Sequence, residues 1–398
     1  MIRNPVSVFH FNPTCELAIA NGSSYYMPPA RLRKFETDLD AIMGVLGNEN
    51  DFVICEHLPA PEFINQFKML GWKLPAYKTL EQLEAYLSSH PEISFNHKPW
   101  GHSPAEYNLF RCLHLDDQLW NENRKQLFER KTAVTFLQQF LNQNGLPSCI
   151  GSDINQQQIQ SEEEIESLLA ISHPLVLKAP LSSSGRGLLV IRRTKLNEAN
   201  QQWIRGILAQ QGYLIAEPWL NKQIDLSFQF EIEANGNVRY LGTSYFQTNT
   251  NGQYNGHYLN FHRNHQFPIK TEMIDRIGER LSEELANSAY TKFHMGILGI
   301  DALIYLDTDG QIKLHPCIEI NPRYTMGYLS QRIETKIHPE AYGSFSINYW
   351  PQANYENFIE MQSANNPMEY TNGLLRKGFL SLTPANEQTK FGAYIELF

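Results

Sequence analysis

The stretch GILGIDALIYLDTDGQIKLHPCIEINPR, residues 296–323, constrains the fold more than any other segment. Two apolar runs flank Asp309-Gly310, a dipeptide suited to a tight hairpin turn, so the runs pair antiparallel. A second hairpin, DLSFQFEIEANGNVRYLGTSYF (225–246), turns at Asn235-Gly236. Between the two hairpins, TEMIDRIGERLSEELANSAY (271–290) has the spacing of a long amphipathic helix. A third hairpin starts from PLVLKAP (174–180), passes a loop from Ser182 to Gly187, and returns as GLLVIRR (187–193). Hairpins segregated around a helix predict an α+β plan rather than a parallel doubly wound sheet.

A chain of 398 residues needs two or three cores. Residues 1–128 read as an α/β unit, with strands in VSVFHF (6–11) and DFVICEHL (51–58). PEFINQFKML (61–70) and TLEQLEAYLSS (79–89) read as helices, and NHKPWGHSP (96–104) as a loop from its Pro, Gly and His content. A new unit begins near Arg130. There KTAVTFLQQFLNQ (131–143) is helical and stops at NGLP. SEEEIESLLAIS (161–172) is a second helix, with Ser161 as cap and Glu164 completing a capping box. GYLIAEPWL (212–220) is a strand, and the tail from about 340 ends in a strand-like, packed GAYIELF. The expected boundaries are 1–128, 129–215, 216–340 and 341–398.

A formal charge of −9 and a pI near 5.8 argue against a general nucleic-acid surface but leave room for a local basic pocket. Cys15, Cys55, Cys112, Cys149 and Cys317 are odd in number, scattered and without a CxxC pair. They read as reduced thiols in a cytoplasmic protein rather than a disulfide or zinc framework. The opening apolar run is broken by His10, Asn12 and Pro13, against a signal peptide, and no run is long enough for a membrane span. A P-loop of the GxxxxGK[ST] kind is absent from the sequence.

With its turn centred between Asp309 and Gly310, the hairpin 296–323 places Asp301 almost opposite Ile318 and Glu319. Alternation puts Asp301, Leu303 and Tyr305 on one face, and Glu319 with Asn321 on one face of the partner strand. Pro316 removes a ladder donor, so a bulge that shifts the register by one is expected. Two carboxylates and an amide meeting at one end suit Mg²⁺ rather than zinc. Solvent-facing acids are the plainer alternative. The flanking Ile300, Ala302, Ile318 and Ile320 count against it, because buried strands seldom carry acids without partners.

VLKAP with SSSGRG, then AEPWL, GIDALIY and EINPR, in this order and spacing, resemble the ATP-grasp superfamily over about residues 129–335. The resemblance implies an ATP-grasp fold, two α+β subdomains clasping ATP, preceded by a smaller α/β domain. It makes Lys178 the strand lysine on the ATP phosphates, and the loop with Ser183, Ser184, Gly185, Arg186 and Gly187 their cover. Glycines let backbone N–H groups close on phosphate, serines add donors, and Arg186 adds a charged contact. Lys131 matches an earlier phosphate lysine at a helix start. Glu217 falls where the adenine amino group is bound, Leu220 where the ring is packed, and Asp225 where ribose is held. Asp301, Glu319 and Asn321 correspond to the metal set, and Arg323, with Lys178, to the cations that steady the transferred phosphoryl group or the substrate acid.

The activity implied is an ADP-forming ligase that uses Mg²⁺ (or Mn²⁺) and ATP to activate a carboxylate as an acyl phosphate for an amine or a thiol. A small-molecule carboxylate and an amine are the expected partners, with a homodimer as the assembly to test and neither nucleic acid nor membrane involved. Arg263, Arg323 and Arg332 suggest an acidic or amino-acid-like substrate. The Ser-Gly loop and the polar, aromatic stretch 243–265 are the expected lids. Within that stretch His257, His262 and His265 lack metal-ligand spacing, and packing is favoured over substrate contact by His257 or Tyr254. In FNPTCELAIANGSSYYMPP (11–29), Asn12, Glu16 and Asn21 either line a pocket or cap a helix, capping being preferred. An ATP-binding regulator or phosphotransfer protein of the same fold is the alternative function.

Overall fold

The structure is a computed structural model that describes residues 5–113, 120–171, 174–182, 187–249, 254–263, 268–352 and 354–398. The chain divides into two units. Residues 1–120, 255–266 and 323–398 form the first, and 121–254 with 267–322 the second.

In the first unit β1 (Val6–His10), β2 (Phe52–Ile54), β3 (Ala76–Lys78) and β4 (Phe95–Pro99) form a parallel sheet in the order β3-β2-β1-β4. Parallel strands need crossovers. Helices Pro61–Met69 and Leu80–Ser89 supply two of them, the latter opened by a Thr79–Gln82 capping box. The predicted loop 96–104 is a correction, since its first half is β4, paired along β1 from Val6↔Phe95 to His10↔Pro99. Pro99 is tolerated as the last residue of the strand. The strand was hidden in the sequence because it buries a polar residue that has partners: His97 stacks on Phe110 and sits 3.2 Å from Glu106.

Glu106 lies in the first turn of helix Pro104–Cys112, where Ser103 accepts its backbone N–H. His10 Nδ1 is 2.8 Å from the same carboxylate. Burial resists charge on both groups, but each stabilises the other. His10 is raised above its ordinary 6.5, and Glu106, with His97 also bonded to it, is held at about 2.

The second unit holds β5 (Gln157–Ile159), β6 (Leu175–Lys178), β7 (Leu188–Ile191) and β8 (Leu214–Pro218), antiparallel in the order β5-β8-β6-β7. Helices Glu162–Ile171 and Glu198–Gln211 bury Ile165, Leu169 and Ile204 against Leu175, Leu177, Leu214 and Ala216 on one face of this sheet. Ser161 Oγ accepts the Glu164 N–H, as the sequence leads one to expect, and Gly212 ends the longer helix at φ 83°. Two long strands follow, β9 (Asn221–Ile232) and β10 (Val238–Thr248), forming the hairpin at Asn235-Gly236. The chain then contributes β11 (Tyr254–Leu259) and returns through helix Thr271–Ala286 to β12 (Gly296–Leu306) and β13 (Ile312–Asn321). Within the second unit the order is β13-β12-β9-β10. A Cβ on Gly278 of that helix would fall 2.5 Å from the Tyr240 ring on β10, so only glycine permits the observed approach.

The first unit is completed by β14 (Gly343–Tyr349), β15 (Glu369–Thr371), β16 (Leu374–Ser381) and β17 (Phe391–Leu397), which continue from β11 in the antiparallel order β11-β14-β17-β16-β15. GAYIELF is thus a central strand. Phe9, Trp100, Leu329, Phe345, Ile395 and Leu397 share one core, which groups residues from Arg323 onward with the N-terminal sheet. Much of the expected loop 243–265 is strand, in β10 and β11, while 250–253 and 264–265 lie outside the described residues. No helix among the described residues is long and apolar enough to cross a membrane.

Because the folded His10 pKa is raised, its contribution is complete below 6.5 and lost as pH rises through the folded value. That of Glu106 is complete above its ordinary 4.5 and lost as pH falls through about 2. The melting-temperature gap between wild type and His10→Asn should therefore be widest between pH 4.5 and 6.5 and narrow in alkali. A gap that is constant with pH would remove the network as its source. Taking the difference matters, because burial of Asp40, raised to about 7, adds a fall of the same sign in both proteins.

Candidate functional site

The face of the four-stranded sheet opposite helices Glu162–Ile171 and Glu198–Gln211 carries the lysine. Register pairs Lys178 with Ile215 and Val176 with Glu217, so Lys178 and Glu217 are diagonal neighbours on one face. Both are buried and form an ion pair, and Gln156 Nε2 donates to the other Glu217 oxygen at 2.6 Å. This meets the requirement that a buried ammonium have an anion beside it.

The hairpin pairs β12 and β13 with a step of two residues between Leu303↔His315 and Asp301↔Glu319, where the sequence suggested one. Pro316 lies in that step and cannot donate to the ladder. The two-residue step leaves Asp301 directly opposite Glu319. Pairing then builds rows across the sheet: Glu319–Asp301–Ser227–Ser244 in one, and His315–Leu303–Asp225–Phe246 in the next. Residues directly paired share a face. Asn321, opposite Gly299, starts a third row ending at Gln229 and Gly242, and its Nδ2 donates to Asp301 Oδ2 at 3.0 Å. Oxygen donors thus gather at one end, while an apolar residue and an imidazole occupy the next row.

The charge of Lys178 acts on two residues of β13, His315 and Cys317. Burial, with the lysine charge, pushes His315 down to about 3, so its ring is neutral. Burial likewise raises the Cys317 thiol, with Lys178 opposing and Asp301, Glu217 and Glu319 reinforcing the rise.

Arg130 joins the two surfaces. Its Nε donates to the Ala179 carbonyl at 2.9 Å, and Nη2 reaches Ser182 Oγ at 3.2 Å and Glu319 Oε1 at 2.9 Å. The buried cation at this helix start is therefore Arg130. Lys131, expected here, has a side chain 48% exposed, pairs with Glu129 at 2.6 Å and lies over the Tyr213 ring. Successive helical residues point about 100° apart, so only one of the two turns inward.

No protein-family model matches the chain, and no curated protein matches it. Solved structures do. PurK, an N5-carboxyaminoimidazole ribonucleotide synthetase solved with ADP, is 16% identical with a TM-score of 0.50, over 100% of this chain and 94% of that one. Biotin carboxylase from Campylobacter jejuni, in a β-γ-ATP complex, is 12% identical with a TM-score of 0.52, over 99% and 88%. The biotin carboxylase domain of the Hydrogenobacter thermophilus 2-oxoglutarate carboxylase, with MgADP and bicarbonate, is 14% identical with a TM-score of 0.50, over 98% and 86%. The chain has the ATP-grasp fold.

On this ATP-grasp framework the remaining expected residues fall in different places. Asp225 accepts from Lys222 Nζ at 2.6 Å and Thr248 Oγ1 at 2.7 Å. Leu220 is half-buried, its carbonyl taking the Lys222 N–H at 2.9 Å. Ser183, Ser184, Gly185 and Arg186 lie outside the described residues. Gly187 closes the loop base, its carbonyl accepting from Ala179 N at 2.8 Å. Arg323 belongs to the first unit, where Nε donates to Glu16 Oε1 at 2.7 Å. Glu16 therefore holds an arginine there. Asn12 clamps the backbone of Gly101, with bonds of 2.7 and 3.0 Å, and Asn21 is exposed. His257 is buried on β11 opposite Phe345 and burial lowers it to about 3. His262 is exposed in a short turn, and His265 lies outside the described residues. Among the described residues no three His, Cys, Asp or Glu are grouped to hold a metal.

Sequence reasoning missed Arg130, Gln156, Ser227, Gln229 and His315. The alternation in DLSFQFEI, polar at Asp225, Ser227 and Gln229 and apolar between, was a readable sign of a buried polar face. Arg130 and Gln156 carried no such sign.

Removing one partner of the buried pair should cost more than removing both. Glu217→Leu should destabilise by about 3–5 kcal/mol, and Lys178→Met with Glu217→Leu should recover most of it in denaturant unfolding. A double variant as unstable as the single would show that the pair is not what the site rests on.

Proposed function

We propose that the chain is an ADP-forming ligase that uses Mg-ATP to activate a small carboxylate for capture by an amine or a thiol. The observation that carries this reading is the facing of Lys178 and the Asp301–Glu319 row on an ATP-grasp fold, with Arg130 bonded to both sides. The similarity to proteins solved with ADP, an ATP complex and bicarbonate supports it.

In the first step a carboxylate oxygen attacks the γ-phosphorus, the bond to the β-γ bridging oxygen breaks, and ADP leaves with that electron pair. In the second the nucleophile attacks the acyl carbon, phosphate leaves, and the nucleophile's proton is released. Neither step needs a covalent group from the protein. Lys178 and Arg130 supply positive charge where phosphoryl charge develops, and the serine loop supplies donors. Asp225 and Leu220, with Leu303 and the neutral His315, form the nucleoside end, and Arg323 is assigned to the substrate acid from its place in the motif.

The donor set fits a hard cation: two carboxylates paired in register, a carboxamide beside them, and no thiolate or imidazole required. Asp301, Glu319 and Asn321 would hold Mg²⁺, which when bound neutralises phosphate oxygens. Arg130 orients Glu319 for this. The substrate proposed is an acidic or amino-acid-like carboxylate.

ADP release from Mg-ATP, measured against pooled amino acids, small peptides and hydroxy acids, tests the reading. Turnover should depend on one pool and vanish in Glu319→Gln. Arg130→Ala should lower kcat/KM about 100-fold or more, the size of losing a placed charge on the transferred group. Lys131→Ala should stay within about threefold, as for an exposed pair. Binding of Mg-ATP without turnover on any pool would favour a regulator, and no binding would overturn the assignment.

A further inference from the structure

The second unit contains a cleft of about 770 Å³ that takes in, of the residues assigned above to ATP or metal, Lys131 alone. Its size falls within the roughly 300–1,000 Å³ of small-molecule sites. One wall is a face of helix Arg130–Leu141, with Lys131, Thr135 and Gln138 at successive turns. The opposite side comes from residues 155–158, and residues 287–292 close the rest.

The lining has a marked chemistry. It contains seven carboxamides and two lysines, Lys131 and Lys292, and no acid, in a chain whose net charge is −9. Carboxamides donate and accept, so they serve a ligand bearing both hydroxyl groups and an anionic group. Tyr290 adds a second sign. It lines the cavity, is 1% exposed, and its hydroxyl makes no hydrogen bond among the described residues. A buried hydroxyl without a partner carries a cost and calls for an explanation.

One contact leads from the cavity to the nucleotide machinery. Gln156 lines it and holds Glu217, which pairs with Lys178. We propose that this cavity is a second ligand site, for a hydroxylated organic anion of the hydroxy-acid or sugar-phosphate kind, coupled to ATP binding through Gln156. The coupling, though not the binding, rests on the nucleotide reading above.

Calorimetric titration of the full chain with malate, ribose 5-phosphate and inorganic phosphate tests it. Malate or ribose 5-phosphate should bind below about 1 mM and tighter than phosphate, the preferred one naming carboxylate or phosphoryl as the anion. Gln138→Leu and the surface change Lys292→Glu should each weaken binding about tenfold, while Glu319→Gln leaves it intact. Retained Mg-ATP binding shows that these variants fold. Saturating probe should shift Mg-ATP affinity about fivefold, and Gln156→Leu should abolish the shift. No binding at about 10 mM, binding indifferent to both cavity variants, or binding lost in Glu319→Gln would overturn the site. Probe binding with no shift in Mg-ATP affinity would overturn the coupling. Probe binding without any Mg-ATP binding would support the cavity and sink the nucleotide reading instead.

Discussion

An ammonium group carried on the inward face of a buried strand is stable only if the fold brings a carboxylate to it, and Lys178 makes that demand on the second unit. Glu217 answers from the neighbouring strand and Gln156 completes the carboxylate's bonding. That arrangement sets the pair on the face of the four-stranded sheet opposite the one packed by helices Glu162–Ile171 and Glu198–Gln211. It also fixes where positive charge is available to an anion, since Arg130 gathers at the same edge and reaches Glu319. Lys178 comes from the four-stranded sheet and Arg130 from a helix start, while Asp301 and Glu319 come from the long hairpin, with His315 paired to Leu303 in the next row.

The first unit solves a comparable problem in another way. Glu106 is buried at a helix start with two histidines around it, so that its charge is matched by His10 rather than by lysine or arginine. A histidine partner makes this pair responsive to pH near neutrality. In the same unit Glu16 and Arg323 pair at separate points of the sequence. Buried carboxylates with assigned cations recur, and each ties distant segments together.

How much was legible depended on whether the signal was local. The hairpins at Asn235-Gly236 and Asp309-Gly310 and the helix at 271–290 could be read because turn chemistry and periodicity are carried by adjacent residues. Asp301, Glu319 and Asn321 could be placed together because a hairpin turns a difference in sequence number into a distance. The strand at 95–99 could not, since its buried His97 is compensated by Glu106 and by Phe110. Arg130 and Lys131 are adjacent in the sequence, and only helix phase, which depends on where the helix packs, buries the first and leaves the second half-exposed.

By itself the sequence determined the order of elements, the α+β character of the second unit, and the meeting of two acids and an amide on one hairpin. Short-range geometry suffices for these, because turn residues and strand alternation leave few options. Tertiary structure decided the two-residue step at Pro316 and the grouping of residues 323–398 with the N-terminal sheet. It also decided the partners of Lys178, Glu106 and Arg323. Those outcomes depend on which buried charges find one another across the fold, and no local pattern encodes such a pairing.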